Sequence, residues 1–206
     1  MDKPPVSRGF KSHRQKTGDA DRLPPGQYLT TDFPVLSAGP TPSVSREKWT
    51  FALQLGGNLL RKWSWADFQT LPQTTLKTDI HCVTKWSKFD TNWRGVTLDD
   101  ILAAAGIDEA PQAYTMLHCD DGYTTNVPVE DLLHGRAMVA TSYGGAPLTA
   151  EHGGPARMLV PHLYFWKSAK WVRRLRFIAA DEPGFWEGHG YHIYGDPWRE
   201  QRYSGD

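Results

Sequence analysis

The sequence is poor in cysteine, and its two thiols, Cys82 and Cys119, stand apart with no Cys-x-x-Cys pair. That argues against a disulfide framework or a structural zinc site, and it suits a reducing compartment. Long apolar runs are missing too: no stretch of ~20 apolar residues is available to span a bilayer. The amino-terminal segment MDKPPVSRGFKSHRQKTGDADRLPPGQ has neither an apolar core behind its basic residues nor a twin-arginine pair, so a secretory leader is not expected. These absences point to a cytoplasmic protein. Net charge is also lacking, with 23 basic side chains against 23 acidic ones. Nothing global therefore invites nucleic acid or an anionic membrane surface, and any anion site must be local. Neither an internal repeat nor a haem, flavin or iron–sulfur motif is visible.

What is present is enough chain, 206 residues, for one substantial core and too little for two typical domains with linkers. Residues 1–22 carry six basic and three acidic side chains and little apolar surface. That predicts a flexible or surface-draped arm ahead of one domain over residues 23–206. Prolines and glycines recur from Leu23 to Pro42, which forbids a long helix and predicts an extended, turning loop. Alternation over residues 49–55 predicts a strand closed by Gly56-Gly57. Ser64 caps a short expected helix that ends near Pro72. Alternation resumes over residues 74–80, and the chain leaves that strand at His81-Cys82. Thr97 caps a helix running to Ala105, with Asp99 and Asp100 favoured in its first turn and Gly106 as its stop.

Further strands are expected over residues 114–119, 123–129, 138–142, 158–160 and 172–178, with a helical turn or two over 129–133 and loop over 143–156. Short helices between strands that do not repeat as βαβ units give an α+β class with mixed sheets. The tail from Pro183 onward holds Phe185, Trp186, Tyr191, Tyr194, Trp198 and Tyr203, expected to pack over the domain.

Cys82 lies where a strand gives way to loop, the kind of place where sites are built. Taken alone it is more readily a small apolar filler. The surrounding motifs are more specific: Trp93-x-Gly95-Val96-x-Leu98-x-x-Ile101-Leu102, then Gly122-Tyr123, then Gly145-x-Pro147-Leu148, His152-Gly153-x-Pro155-x-Arg157-x-x-Val160-Pro161 and Lys167-Ser168-x-Lys170-Trp171-Val172. In this order they resemble the sulfite oxidase family of molybdopterin oxidoreductases, over about residues 30 to 180. The resemblance implies that family's molybdopterin-binding fold, and a molybdenum ion held by two dithiolene sulfurs of a pterin and one protein cysteine. Cys82 matches that cysteine.

The resemblance also implies a set of cofactor contacts. Arg157 and Lys170 match basic residues for the pterin's phosphate, one as a planar fork and the other as a point charge. Ser168 and the backbone around Ala169 complete that cradle. His152 matches a cofactor-contacting position, Phe33, Pro34 and Val35 fall near backbone contacts to the pterin, and Cys119 lies in a neighbourhood that runs along it. Tyr123, five residues before Pro128, matches an active-site tyrosine whose hydroxyl donates a hydrogen bond at the reacting oxygen.

The chain departs from true sulfite oxidases at the residues that bind a small dianion. Leu36-Ser37-Ala38 replaces an Arg-Asn-His run, and Lys85-Trp86-Ser87-Lys88 replaces a pair of arginines. Lys85, Lys88 and Arg94 offer positive charge for an anionic substrate, but read more readily as surface charges. No immunoglobulin-like dimerisation domain or haem domain follows the matched region, so a monomer is expected. The implied activity is oxygen-atom transfer on a sulfite-like anion or an S- or N-oxide, with electrons exchanged with a separate haem- or flavin-type protein. Two alternatives remain: a thiol enzyme using Cys82 as nucleophile, for which His81 is a poor base because neighbouring strand residues face opposite ways, and a non-catalytic binding module on the same fold.

Overall fold

Alternating apolar and polar residues build most of this chain into strands. The computed structural model describes residues 14–15 and 20–206. Its strands are β1 (Arg14–Gln15), β2 (Tyr28–Thr30), β3 (Thr50–Leu55), β4 (Asn58–Ser64), β5 (Thr74–His81), β6 (Trp86–Thr97), β7 (Tyr114–Cys119), β8 (Thr124–Pro128), β9 (Met138–Tyr143), β10 (Ala146–Pro147), β11 (Arg157–Leu159) and β12 (Val172–Ile178). The α-helices are short: α1 (Trp65–Thr70), α2 (Leu98–Ala104) and α3 (Phe185–Gly188). The class is therefore α+β with two mixed sheets.

One sheet runs β1-β2-β6-β9-β10, with β5 also on β6 and β11 also on β9; the other runs β4-β3-β12-β7-β8. Each contains one parallel pair, β2 with β6 and β3 with β12. Two of the three α-helix starts follow from their caps. The Ser64 hydroxyl accepts from the Asp67 amide at 3.2 Å while Asp67 accepts from the Ser64 amide at 3.1 Å, and Thr97 likewise accepts from the Asp100 amide at 3.1 Å. Val96, Leu98 and Ile101 join Phe51, Leu53, Phe68, Leu117, Leu175 and Phe177 in one core without solvent exposure. A second core gathers Ile80, Cys82, Trp86, Trp93, Leu159, Tyr164 and Trp166. Full burial of such side chains contributes about 1.5–3 kcal/mol each.

Two strands lack a clear sequence signal. β4 (Asn-Leu-Leu-Arg-Lys-Trp-Ser) buries only Trp63, because it is an edge strand paired with β3 alone. β6 carries Lys88, Asp90, Asn92, Arg94 and Gly95, residues that disfavour strands. Its three partners β2, β5 and β9 override that preference. Gly95 is required where β6 meets β9, since a Cβ there would lie 2.2 Å from the Val139 carbonyl oxygen.

Most of the expected amino-terminal arm lies outside the described residues. Its described pieces are tied to the domain. Arg14–Gln15 pairs with Leu29 and Thr30, and Arg22 grips Asp79 through two hydrogen bonds of 2.6 and 2.9 Å while covering the Phe89 ring.

Candidate functional site

The site begins with the turn that follows β5. The Cys82 amide donates to the Trp86 carbonyl at 2.9 Å, and the Lys85 amide donates back to the Cys82 carbonyl at 2.9 Å. Lys85 takes a left-handed φ of 79° to close the turn. Two side chains from distant segments brace it: Gln27 Nε2 donates to the Cys82 carbonyl at 3.1 Å, and Arg202 Nη1 donates to the Val83 carbonyl at 3.0 Å. The Thr84 hydroxyl donates to Cys82 Sγ at 3.1 Å. Burial pushes the Cys82 thiol up, against the opposing pull of the Thr84 hydroxyl, the nearby backbone amides and Arg202.

Cys82 borders a cavity of about 360 Å³, within the range of small-molecule and cofactor sites. Its two ends differ in chemistry. The thiol packs in one cluster with Val83, Trp86, Trp166 and Tyr191, with Trp186 against it, and all of these line the cavity. Tyr164 packs in the same cluster, so the sulfur sits among aromatic side chains.

The other end is cationic. Arg157 opens β11 and is 1 % exposed. Its guanidinium donates to the carbonyls of His152 at 2.9 Å and Ser168 at 2.6 Å and lies over Phe165 at 4.2 Å. Lys170 Nζ donates to Ser37 Oγ at 2.7 Å and to the Glu151 carbonyl at 2.8 Å. Among the described residues neither cation has a carboxylate within ion-pair distance, and the one acid on the cavity wall is Asp121. Burial brings Arg157 down to about 9, and burial with repulsion from Arg157 brings Lys170 down to about 8. Gly153, at φ 97°, lets the backbone pass between them: a Cβ there would sit 2.9 Å from Lys170 Cβ and 3.1 Å from Arg157 Cβ.

The structure brings Phe33, Pro34, Cys82, Tyr123, His152, Arg157, Ser168, Ala169 and Lys170 to this one cavity. His152 stacks flat on Phe33 at 3.9 Å, and burial beside Arg157 and Lys170 holds its imidazole neutral, at about 4. Ser168 Oγ accepts from the Val160 amide at 2.8 Å. The Tyr123 hydroxyl donates to the Trp166 carbonyl at 2.8 Å, so its proton is engaged by the backbone.

Two of the expected residues do not line the cavity. Val35 follows Pro34 and is 46 % exposed; its expected contact is through the backbone, and its side chain takes no part in the wall. Cys119 ends β7 packed against the larger core and does not border the cavity. Lys85, Lys88 and Arg94 also stay off the cavity wall; Lys88 Nζ donates to the Thr31 carbonyl, and Arg94 lines a separate cleft with Arg46. The residues that sequence reasoning missed are Thr84, Phe165, Trp166 and the tail pair Trp186 and Tyr191. Only the aromatic richness of the tail signalled the last two.

These features fit a molybdopterin cofactor. A buried guanidinium beside a half-buried ammonium, neither with a counter-ion among the described residues, is costly unless an anion joins them, and a phosphate supplies it. The opposite end offers one thiol. Among the described residues no group of three His, Cys, Asp or Glu side chains could hold a metal, so a metal at Cys82 must take its other ligands from a second molecule, as a pterin dithiolene provides.

Comparison with known proteins agrees. Residues 38–186 match the oxidoreductase molybdopterin binding domain. The chain is 44% identical over 195 residues to the uncharacterized oxidoreductase YuiH of Bacillus subtilis (strain 168), covering 93% of this chain and 97% of that protein. It is 30% identical over 149 residues to the putative protein-methionine-sulfoxide reductase subunit YedZ1 of Azospira oryzae, covering 71% of this chain and 56% of that one. Sulfite oxidase of Gallus gallus is 28% identical over 152 residues, covering 69% of this chain and 31% of the enzyme. Among solved structures, the sulfane dehydrogenase SoxCD from Paracoccus pantotrophus shares the fold, with a TM-score of 0.59, 21% identity, 68% of this chain covered and 40% of that one.

Proposed function

This chain belongs to the oxidoreductase molybdopterin-binding domain family, and on that premise we propose that it transfers an oxygen atom from a small neutral S-oxide or N-oxide. Two electrons and two protons convert the oxide to the parent sulfide or amine plus water, and the electrons arrive singly from a separate haem- or flavin-type protein. The observation that carries this reading is the polarity of the cavity: a thiol ringed by aromatic side chains at one end, uncompensated cations at the other.

Each residue then has a role. Cys82 is the protein's ligand to molybdenum. Arg157 and Lys170 hold the pterin phosphate, with Ser37 and Ser168 beside them, and Gly153 keeps the two cations close. Phe33, Pro34, His152 and Ala169 border the pterin. When bound, the cofactor supplies a centre that exchanges two electrons and one oxygen atom with the substrate. Trp86, Trp166, Trp186 and Tyr191 exclude water and receive apolar substituents. Tyr123 keeps its proton at neutral pH, because burial and the charge of Glu187 push its phenol well above the ordinary tyrosine range. Its O–H must turn from the Trp166 carbonyl to meet a substrate oxygen.

A sulfite-like dianion is the less favoured substrate: the cations on the cavity wall, Arg157 and Lys170, are assigned to the phosphate, and Arg202, the cation that Cys82 feels, is engaged by the Val83 and Pro25 carbonyls. The thiol-enzyme reading lacks a base: His81 Nδ1 pairs with Ser87 Oγ at 2.8 Å, and the sulfur's partner is Thr84. A reducing, cytoplasmic setting is part of the proposal, with two free cysteines in its favour, and so is a monomeric state. No described helix is long and apolar enough to cross a membrane.

The test is turnover of cofactor-loaded protein with dimethyl sulfoxide and trimethylamine N-oxide against a reduced viologen dye, beside sulfite against ferricyanide. Oxide reduction with sulfite at background supports the proposal. Fast sulfite oxidation with inert oxides overturns it.

A further inference from the structure

The hydroxyl of Thr84 lies 3.1 Å from the one cysteine sulfur on the cavity wall, and its geometry leaves it little else to do. A threonine hydroxyl in a turn can bond a neighbouring backbone carbonyl instead. Here the Cys82 carbonyl already accepts two hydrogen bonds, from the Lys85 amide at 2.9 Å and from Gln27 Nε2 at 3.1 Å. The hydroxyl is left facing the sulfur. Its direction is fixed because the turn is fixed: Lys85 holds a left-handed φ of 79°, and Arg202 pins the Val83 carbonyl from the far end of the chain at 3.0 Å. Thr84 is half-buried and borders the same cavity as Cys82.

We propose that Thr84 sets the reduction potential of the metal by donating its hydroxyl hydrogen bond to the Cys82 thiolate. The inference rests on Cys82 being the molybdenum ligand. A hydrogen bond to a ligating sulfur draws electron density from the metal–sulfur bond, and so favours the more electron-rich, reduced metal. Thr84 acts through Cys82 and is a positioning residue rather than a catalytic one. The same braces make Gln27 and Arg202 part of the device: they occupy or fix the carbonyls that would otherwise capture the hydroxyl.

The experiment compares wild-type holoenzyme with Thr84→Val, which keeps the shape and removes the donor, and Thr84→Ser, which restores it. Potentials are read by titrating the Mo(V) paramagnetic signal, and the sulfur-to-metal charge-transfer absorption is recorded in the same samples. A charge-assisted bond of this kind is worth about a tenfold change in the reduced-to-oxidised ratio, or about 59 mV for one electron. The expected result is a lower potential and a displaced absorption band in Thr84→Val, unchanged molybdenum content, and wild-type values in Thr84→Ser. Equal potentials and bands in all three proteins overturn the proposal while leaving Cys82 as ligand. A band and a metal content that also survive in Cys82→Ser overturn the ligand reading itself, and the inference with it.

Discussion

Lys167 and Glu187 form an ion pair of 2.6 Å with both side chains shut away from solvent. The lysine also donates to Asn126 Oδ1 at 2.7 Å and to the Ile193 carbonyl at 2.7 Å, while Glu187 Oε1 accepts from Trp166 Nε1 and the Thr125 hydroxyl, each at 2.8 Å. The pair thereby fastens the tail, with Trp186 and Tyr191, to the cavity wall. Lys167→Met leaves a buried carboxylate alone and should lower unfolding free energy by about 3–5 kcal/mol. Adding Glu187→Gln should recover part of that loss. Denaturant titration reads both, and a single-mutant cost under about 1 kcal/mol contradicts the account.

Arg157 offers a planar fork that lysine cannot copy. Arg157→Lys should weaken retention of the pterin about 10- to 100-fold, the worth of one or two charge-assisted hydrogen bonds. Pterin fluorescence after gel filtration measures it. Retention equal to wild type removes Arg157 from the phosphate cradle.

Gly153 passes between Arg157 and Lys170 at a φ of 97°. Gly153→Ala must strain the backbone and push the two cations apart, at about 1–3 kcal/mol of stability. The variant should lose pterin more readily than an equally destabilised variant elsewhere, and equal retention in the two refutes the cradle role.

Lys170 gives the cradle a pH dependence. Its folded value of about 8 lies below the ordinary 10.5. In the empty protein the charge opposes folding, so stability should rise between about pH 8 and 10.5, where the unfolded chain holds the extra proton. Inorganic phosphate should act the other way: its stabilisation of the empty protein should fade above about pH 8 as the ammonium is lost. Thermal unfolding with and without phosphate, repeated with Lys170→Met, checks both signs; a phosphate effect that is flat across pH 8 counts against them.

Much of this arrangement is legible in the chain. Strands such as β12 and helix α2 carry strong local signals, alternation in one and the Thr97 cap in the other, and they form where those signals lie. Strand β6 is not legible, because its lysine, asparagine and glycine are held by three neighbouring strands that only the fold supplies. The cationic end of the cavity could be named from motifs resembling a known family. Its aromatic end could not: Trp186 and Tyr191 join the cavity wall because contacts such as the Lys167–Glu187 pair and the Arg202 bond to the Val83 carbonyl fold the tail back, and no spacing encodes that.

The most direct test of the account is metal and pterin analysis of protein made in a host that produces molybdopterin, comparing wild type with Cys82→Ser. The account predicts near-stoichiometric molybdenum and pterin in wild type, and loss of the metal with retention of the pterin in the variant, because Arg157 and Lys170 still hold the phosphate. Folded wild-type protein that carries neither, or a variant that keeps the metal in full, contradicts it.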